Sequence, residues 1–288
     1  LHRQFHKAPR KSTLTTASDA PSRTSAEGYR GGTRKGLDIS LGALPIGVSV
    51  DPTSHYFTST PSPATTSAPP ARLHGGILLR TIRRTSDSCI ISGPSLLVDE
   101  LLHASHATNI ADLIRNKWLG NVSIFPGGPS DVPSRLSLSR ISRRTSGEQP
   151  PKIYLSPRVG LDLSNPSTKL DRSDLRVKFV SSPYRAFILP HLLTANGRGH
   201  TFLGVLWDME RESANDDMLV GRLSSKLALK PNTVITYLDA YRKALKTEDL
   251  KKFVGSAGKG AGSSPTAVLR MTGAVRKFLG ETDSESVL

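Results

Sequence analysis

The chain has 288 residues, 39 of them Lys or Arg and 24 Asp or Glu, which gives a formal net charge of +15 and a pI near 10.2. This excess favours a polyanionic partner, because each contacted phosphate releases counterions; a basic targeting segment plus solvated basic surface is the alternative. The single cysteine excludes an internal disulfide and a cysteine-based zinc site, and no apolar run approaches the roughly 18 residues of a membrane span.

The first 28 residues predict a disordered or targeting tail. Residues 1–25 contain five Lys or Arg, many Ser and Thr, and one acid, Asp19. This composition is typical of an organellar transit peptide, and an ordinary disordered tail explains it equally well. Because the first residue is Leu1 and not Met, we expect a fragment or a processed form.

Three strands are predicted in the first half of the chain. Residues 36–42 (GLDISLG) alternate apolar and polar side chains, and 75–82 (GGILLRTI) follow a glycine pair. Residues 88–92 (SCIIS) form a third short apolar run, in which Cys89 is expected to be a buried, inert thiol. Residues 51–72 are rich in Pro, Ser and Thr and are predicted to be a long insertion between strands.

Helices and further strands are predicted after this point. A helix begins near Pro94, with leucines at i,i+4 spacing, and a second one covers 109–118. The remaining segments are a loop at 126–152, strands at 157–163 and 175–181, helices over 200–254, a flexible linker at 255–265 and a final helix at 266–280. The predicted class is α+β, a mixed or antiparallel sheet with helices over 29–199, followed by a small helical appendage.

Five short segments occur in an order that resembles the C-terminal half of the alkylpurine (3-methyladenine) DNA glycosylase family. These segments are GLDIS at 36–40, GGILLRTI at 75–82, SGPSLLVDELL at 92–102, PRVGLDL at 157–163 and LRVKFVSSPYRAFI at 175–188. The resemblance covers roughly 29–188, with large insertions. It implies a methylpurine-DNA-glycosylase-like fold that hydrolyses the N-glycosidic bond of a flipped-out base, a reaction that needs a carboxylate to activate water.

The resemblance implies roles for individual residues. Arg80 matches the arginine of the family's LLR strand, Asp38 falls where the family has an asparagine beside the base pocket, and Arg158 opens the R-x-G strand. A salt-bridged strand end is the alternative for both arginines. The family's catalytic glutamate lies in an E-T-E-A-Y strand, of which Ala26-Glu27-Gly28-Tyr29 is a faint match at the wrong spacing. Either the catalytic half precedes Leu1 or this relative lacks it, so Glu27 and Asp38 are the catalytic candidates.

A basic, glycine-rich segment precedes the first strand. Residues 29–36 (YRGGTRKG) combine an aromatic ring with three cations in a flexible turn. Such a turn can approach phosphates or a base, and a basic loop without a ligand is the alternative. The candidates here for nucleic-acid binding are Tyr29, Arg30, Arg34 and Lys35.

A helix-turn-helix pattern is present at 219–238. Leu223, Leu227, Leu229, Val234 and Leu238 occupy its apolar positions, and Ala228 stands in place of the usual turn glycine. In the predicted recognition helix, 231–244, Asn232, Thr233 and Thr236 are expected near base edges and Arg242 and Lys243 near phosphates. Helical hairpins that do not bind DNA also match this pattern.

The sequence therefore predicts a nucleic-acid-binding protein related to alkylpurine DNA glycosylases. The alternative is a non-catalytic basic protein that binds DNA or RNA or assembles with an organellar partner. DNA, or else RNA, is the predicted partner, and no cofactor, metal or membrane is expected. The predicted compartment is intracellular and reducing, the nucleus or the mitochondrion.

Overall fold

The computed structural model describes residues 2–6, 35–41, 75–120, 136–138, 150–194, 196–210 and 216–280. The chain divides into two compact units, Leu1–Thr145 and Ser146–Leu288. Each unit combines helices with small antiparallel sheets, so the predicted α+β class is confirmed. Within the described part of the chain, no helix combines the length and the apolar content that crossing a bilayer requires.

The first unit contains five strands and two helices among its described residues. Strands β1 (His2–His6), β2 (Gly36–Leu41) and β3 (Gly75–Leu79) form an antiparallel sheet in that order, and β4 (Thr81–Arg83) pairs with β5 (Ile90–Ser92). Helix α1 (Pro94–Ala104) follows, then the short α2 (Ile110–Asp112), which continues as a π-helical turn over Leu113–Lys117. The predicted strands at 36–42 and 88–92 and both predicted helices are therefore confirmed. The strand predicted at 75–82 is instead two strands, β3 and β4, which belong to different sheets.

Apolar side chains at helical and strand spacing form the core of this unit. The members that are almost fully buried are Leu37, Leu97, Val98, Leu113, Ile114 and Trp118. Pro94 starts α1 because a helix needs no donor at its first position, and Gly93 before it has φ 131°, a conformation that favours glycine.

Two predictions for this unit are wrong. Residues His2–His6, predicted to lie in a disordered or targeting tail, are not disordered. They form a strand, because the backbone of β2 offers hydrogen-bonding partners that composition does not reveal. Cys89 is exposed and not buried. It lies in the turn before β5, where its N–H donates to the Asp87 carboxylate at 3.0 Å. The proposed insertion at 51–72 lies outside the described residues.

The second unit contains a strand pair and five helices among its described residues. Strand β6 (Tyr154–Ser156) pairs antiparallel with β7 (Arg185–Phe187), and the short α3 (Leu175–Val180) lies between them in the chain. The long helices are α4 (Arg198–Glu210), α5 (Asp216–Leu227), α6 (Pro231–Thr247) and α7 (Pro265–Leu279). The prediction of helices after about residue 200 is confirmed.

The strand pair packs directly against α4. A Cβ atom at Gly204 would lie 2.8 Å from the Leu155 carbonyl oxygen and 2.8 Å from the Phe187 ring, so this crossing requires glycine. Tyr154 and Phe187 are buried with residues of α4 to α7 in one hydrophobic cluster. The helices therefore form the body of this unit and not a small appendage, and the unit boundary falls inside the predicted 29–199 domain.

Two predicted strands in this unit are wrong. Residues 157–163 form a turn, in which Pro157 has no N–H to donate and Gly160 has φ 89°. Residues 175–180 form a helix, because the Asp174 carboxylate caps it by accepting from the Arg176 N–H at 2.8 Å, and Val177 and Val180 are buried at helical spacing. Tertiary packing here outweighs the strand propensity of β-branched and aromatic residues.

The segment at 255–265 is not a flexible linker. It contains a 3₁₀ turn over Gly255–Gly258, and Gly258 and Ala261 are buried. Ala261 packs in a second hydrophobic cluster with Val177, Leu250 and Met271. The predicted final helix is confirmed as α7, which Ser264 caps and Gly280, with φ 81°, terminates.

Candidate nucleic-acid interface

A tight turn joins α5 to α6. Only three residues separate the helices, and the first, Ala228, has a left-handed backbone with φ 51°. The Leu229 N–H donates to the Ser224 carbonyl at 3.1 Å, which closes the end of α5. Pro231 begins α6, and the Val234 N–H donates to the Lys230 carbonyl at 3.2 Å. The two helices and the short turn lie where the sequence pattern predicts them, and the assignment of a DNA-binding helix-turn-helix stays a prediction.

The inner faces of α5 and α6 are apolar and buried. The predicted apolar positions Leu223, Leu227, Val234 and Leu238 are at most 6% exposed, and Leu229 packs against the same cluster. The two helices therefore form one packed pair, whose relative orientation is fixed by its core.

Helix α6 also packs against α7. Contacts between α6 and α7 run antiparallel, and a Cβ at Gly273 would lie 2.8 Å from the Ala244 Cβ atom and the Tyr241 carbonyl oxygen. The buried Tyr241 hydroxyl accepts from Trp207 Nε1 at 3.0 Å and from Arg276 Nη1 at 2.5 Å. Burial raises the pKa of Tyr241 to about 12, so this hydroxyl stays protonated at neutral pH.

The outer face of α6 carries polar and charged side chains. Asn232, Thr236, Asp239 and Lys243 are exposed and recur at three- and four-residue spacing, which places them on one side of the helix. The Thr236 hydroxyl donates to the Asn232 carbonyl at 2.8 Å and keeps its lone pairs for another donor. Of the five predicted contact residues, Asn232, Thr236 and Lys243 are exposed, and Thr233 and Arg242 are partly buried.

The helix pair has an uneven charge distribution. From Arg222 to Thr247 the chain has six Lys or Arg and one acid, Asp239. The next acid, Glu248, pairs with Lys252 and Arg270 at 2.9 Å each. Hydrogen bonds from Lys252 and then Arg270 hold the pKa of Glu248 below its usual range. The end of α6 is therefore anchored to α7, and the lysines on its outer face are not neutralised by this carboxylate.

The remaining candidates do not assemble into a catalytic site within the described residues. Asp38 lies half-buried on β2, opposite Leu78 in the ladder. Lys35 forms an ion pair with Asp99, and its carbonyl accepts from Ser95 Oγ at 3.2 Å. Arg80 is half-buried between β3 and β4.

Arg158 does not lie on a strand. It is exposed in the turn after β6 and belongs to the second unit, whereas Arg80 belongs to the first. Glu27, Tyr29, Arg30 and Arg34 lie outside the described residues. Of the five segments that carry the glycosylase resemblance, 157–163 forms no strand, and 175–188 begins with helix α3 and contains only the short strand β7. The resemblance therefore stays a prediction, with fewer matching elements than the sequence suggests.

Several exposed side chains were not identified from the sequence. Ile235 and Asp239 lie on the outer side of α6, and their spacing from Asn232, three and seven residues, could have indicated them. Phe179 and Tyr184 form an exposed ring pair. No sequence signal could have indicated this pair, because residues 175–181 have the alternation of a strand.

Comparison with known proteins places the chain in no established family. No family model matches it, and no solved structure matches it. Its sequence is 28% identical over 164 residues to the uncharacterized protein L759 of Acanthamoeba polyphaga mimivirus. The alignment covers 56% of this chain and 57% of the viral protein, so the chain spans little more than half of that relative.

Proposed function

We propose that this protein binds duplex DNA through α5 and α6, with α6 lying in the major groove. The observation that carries the proposal is the helix pair itself, in which a three-residue turn with left-handed Ala228 leads into α6. Both the α5 side and the α7 side of α6 are buried, and its remaining side presents Asn232, Thr236 and Lys243.

The exposed residue types suit their positions along α6. Residues in the first turns of a recognition helix contact base edges, and amide and hydroxyl side chains such as Asn232 and Thr236 can hydrogen-bond to them. Lysines further along, including Lys243, suit phosphate contacts, which supply most of the affinity. The net charge of +15 supports the same partner.

The proposal is limited to binding. Base excision requires an activated carboxylate beside a base-sized pocket. Of the two candidates for that carboxylate, Glu27 and Asp38, only Asp38 is among the described residues. A duplex-DNA partner is consistent with the nucleus or the mitochondrion as the compartment.

Fluorescence anisotropy with labelled duplexes tests the proposal. Selection from a randomised duplex pool first identifies a preferred site. Lys243→Ala is then expected to weaken binding to preferred and random duplexes alike, because a phosphate contact is independent of sequence. Asn232→Ala is expected to reduce the preference at one base pair, by about 5- to 150-fold, the equivalent of about 1–3 kcal/mol.

Lys259→Ala is the matched control. It removes the same charge from an exposed position outside the helix pair, in the turn before α7. If Lys259→Ala and Lys243→Ala weaken binding equally, and Asn232→Ala changes no preference, α6 is not the binding element.

A further inference from the structure

Two exposed aromatic rings, Phe179 on α3 and Tyr184 in the turn before β7, lie against each other. The Phe179 and Tyr184 centroids are 5.7 Å apart, with 53° between the ring planes. Phe179 is 38% exposed and Tyr184 is 64% exposed. Rings this exposed contribute little to the core, and two exposed aromatic rings in contact offer a surface on which a ligand can stack.

The backbone holds these rings in place. The Ser182 N–H donates to the Phe179 carbonyl at 3.3 Å, and the Tyr184 N–H donates to the Ser182 carbonyl at 2.8 Å. The Ser182 hydroxyl also donates to the Lys178 carbonyl at 2.8 Å, and Pro183 fixes its own φ. The turn is therefore preorganised, which lowers the entropy lost when a ligand binds to the rings.

Four cationic residues lie near the rings in the sequence: Lys169, Arg172, Arg176 and Lys178. None of them forms an ion pair among the described residues. Arg172 lies over the Phe278 ring, 5.9 Å from its centroid, and Arg176 Nη1 donates to the Ser167 carbonyl at 3.4 Å. Two acids lie in the same segment, and both accept backbone hydrogen bonds: Asp174 from the Lys169 and Arg176 N–H groups and Asp171 from the Ser173 N–H. These hydrogen bonds lower the pKa of both carboxyl groups. The segment therefore has four cations and two carboxylates.

We propose that Phe179 and Tyr184 are a stacking platform for unpaired nucleobases, and that cations of the same segment bind the phosphates of a single strand. Aromatic faces within a basic surface are the usual arrangement of single-strand binding sites. An apolar protein surface is a poorer match, because its binding would have to desolvate the cations of this segment. This site does not depend on duplex binding by α6.

The experiment measures anisotropy of a labelled oligodeoxythymidylate with the full chain, because thymine runs have little structure of their own. Tyr184→Ala is expected to weaken binding about 5- to 150-fold, the range for losing one stacked base. Phe179→Ala is expected to act in the same direction. Tyr184→Phe retains the ring and is expected to bind like the wild type.

Three controls separate stacking from the loss of any exposed apolar side chain, from phosphate charge and from loss of the fold. Leu175→Ala removes an exposed apolar side chain on the same helix, 62% exposed, and is expected to leave binding unchanged. An oligonucleotide with the same phosphates but abasic sites is expected to bind more weakly than oligodeoxythymidylate to the wild type. The unfolding midpoint of Tyr184→Ala is expected to equal that of the wild type, because the ring is exposed.

Three outcomes would overturn the proposal. The first is equal binding by Tyr184→Ala and wild type, and the second is equal binding of abasic and thymine strands. The third is polyglutamate displacing the thymine strand as well as unlabelled thymine strand does, which would indicate an acidic peptide site. Duplex binding that survives in Tyr184→Ala, with single-strand binding lost, shows that the two sites are separate.

Discussion

Ala228 has a left-handed backbone at the first position of the turn between α5 and α6. A residue with a Cβ atom is strained in this conformation, because the Cβ atom approaches the following carbonyl oxygen, whereas glycine has no Cβ atom. We expect Ala228→Gly to raise the free energy of unfolding by about 1 kcal/mol, since relief of this strain exceeds the entropy that glycine adds to the unfolded chain. Urea denaturation followed by circular dichroism measures the change.

Ala240→Gly is the matched control for that substitution. Ala240 lies within α6, where the backbone is right-handed, so the same change is expected to destabilise by about 1 kcal/mol. If both substitutions destabilise the protein equally, the turn does not have the left-handed geometry on which the helix pair depends.

The helical period places the candidate side chains on α6. Asn232, Thr236 and Lys243 are exposed on its outer face, whereas Thr233 and Arg242 are partly buried, and contact with nucleic acid by these residues stays a prediction. The arginines chosen from the glycosylase resemblance depended on strand assignments, and Arg158 lies on a turn. The short glycosylase-like motifs have no helical or strand period, so they did not indicate which way a side chain points.

At the scale of elements, the close approach of α6 and α7 depends on Gly273. A methyl group there would lie 2.8 Å from the Ala244 Cβ atom and the Tyr241 carbonyl oxygen, so the helices would have to separate. We expect Gly273→Ala to destabilise by about 1–3 kcal/mol, the usual cost of overpacking. Chemical denaturation gives the value.

Gly221→Ala is the control for the gain in helix propensity that a Gly→Ala substitution within a helix brings. Gly221 lies within α5, and a Cβ atom added there would have no neighbouring atom within 4 Å, so Gly221→Ala is expected to stabilise by about 1 kcal/mol. Stabilisation by Gly273→Ala of the same size would contradict the close α6–α7 contact.

The end of α6 is expected to make stability depend on pH. Pairing with Lys252 and Arg270 lowers the pKa of Glu248 in the folded state. The stabilisation is therefore complete above the ordinary pKa of glutamate and is lost as the pH falls through the lowered value. We expect Glu248→Gln to be less stable than the wild type at pH 7, and the difference to disappear in acid.

Thermal unfolding across this pH range measures the effect, with Asp239→Asn as control. Asp239 is exposed on α6 and forms no ion pair among the described residues, so its substitution removes a carboxylate without removing such a pair. A pH-independent difference between Glu248→Gln and the wild type would rule out the ion pairs as its cause.

Elements with a clear period could be predicted, and elements defined by tertiary contacts could not. The spacing of Leu97 and Leu101 predicts α1, and Val268 with Val275 predicts α7. The LRVKFV segment alternates like a strand, but an Asp174 cap and the packing of Val177 make it a helix. Caps and long-range burial decide such short segments, and neither is visible in composition.

At the scale of the whole molecule, the division into units was not predictable from motif order. The predicted domain at 29–199 is interrupted at Thr145, because β6 and β7 pack on α4 and share a core with the helices. The contact of Gly204 with Leu155 and Phe187 joins segments that the sequence assigned to different domains. Low-complexity composition likewise predicted a linker at 255–265, where buried Ala261 packs in a core.

The most direct test of DNA binding through α6 is the salt dependence of the affinity of the full chain for duplex DNA. We expect log K to fall linearly with log salt concentration, and the slope to decrease in magnitude by about 0.9 for each phosphate-contacting lysine removed, as in Lys243→Ala. Lys259→Ala is expected to retain the wild-type slope. Absence of duplex binding at low salt, or an unchanged slope in Lys243→Ala, would contradict the assignment of α6 as the DNA-binding helix.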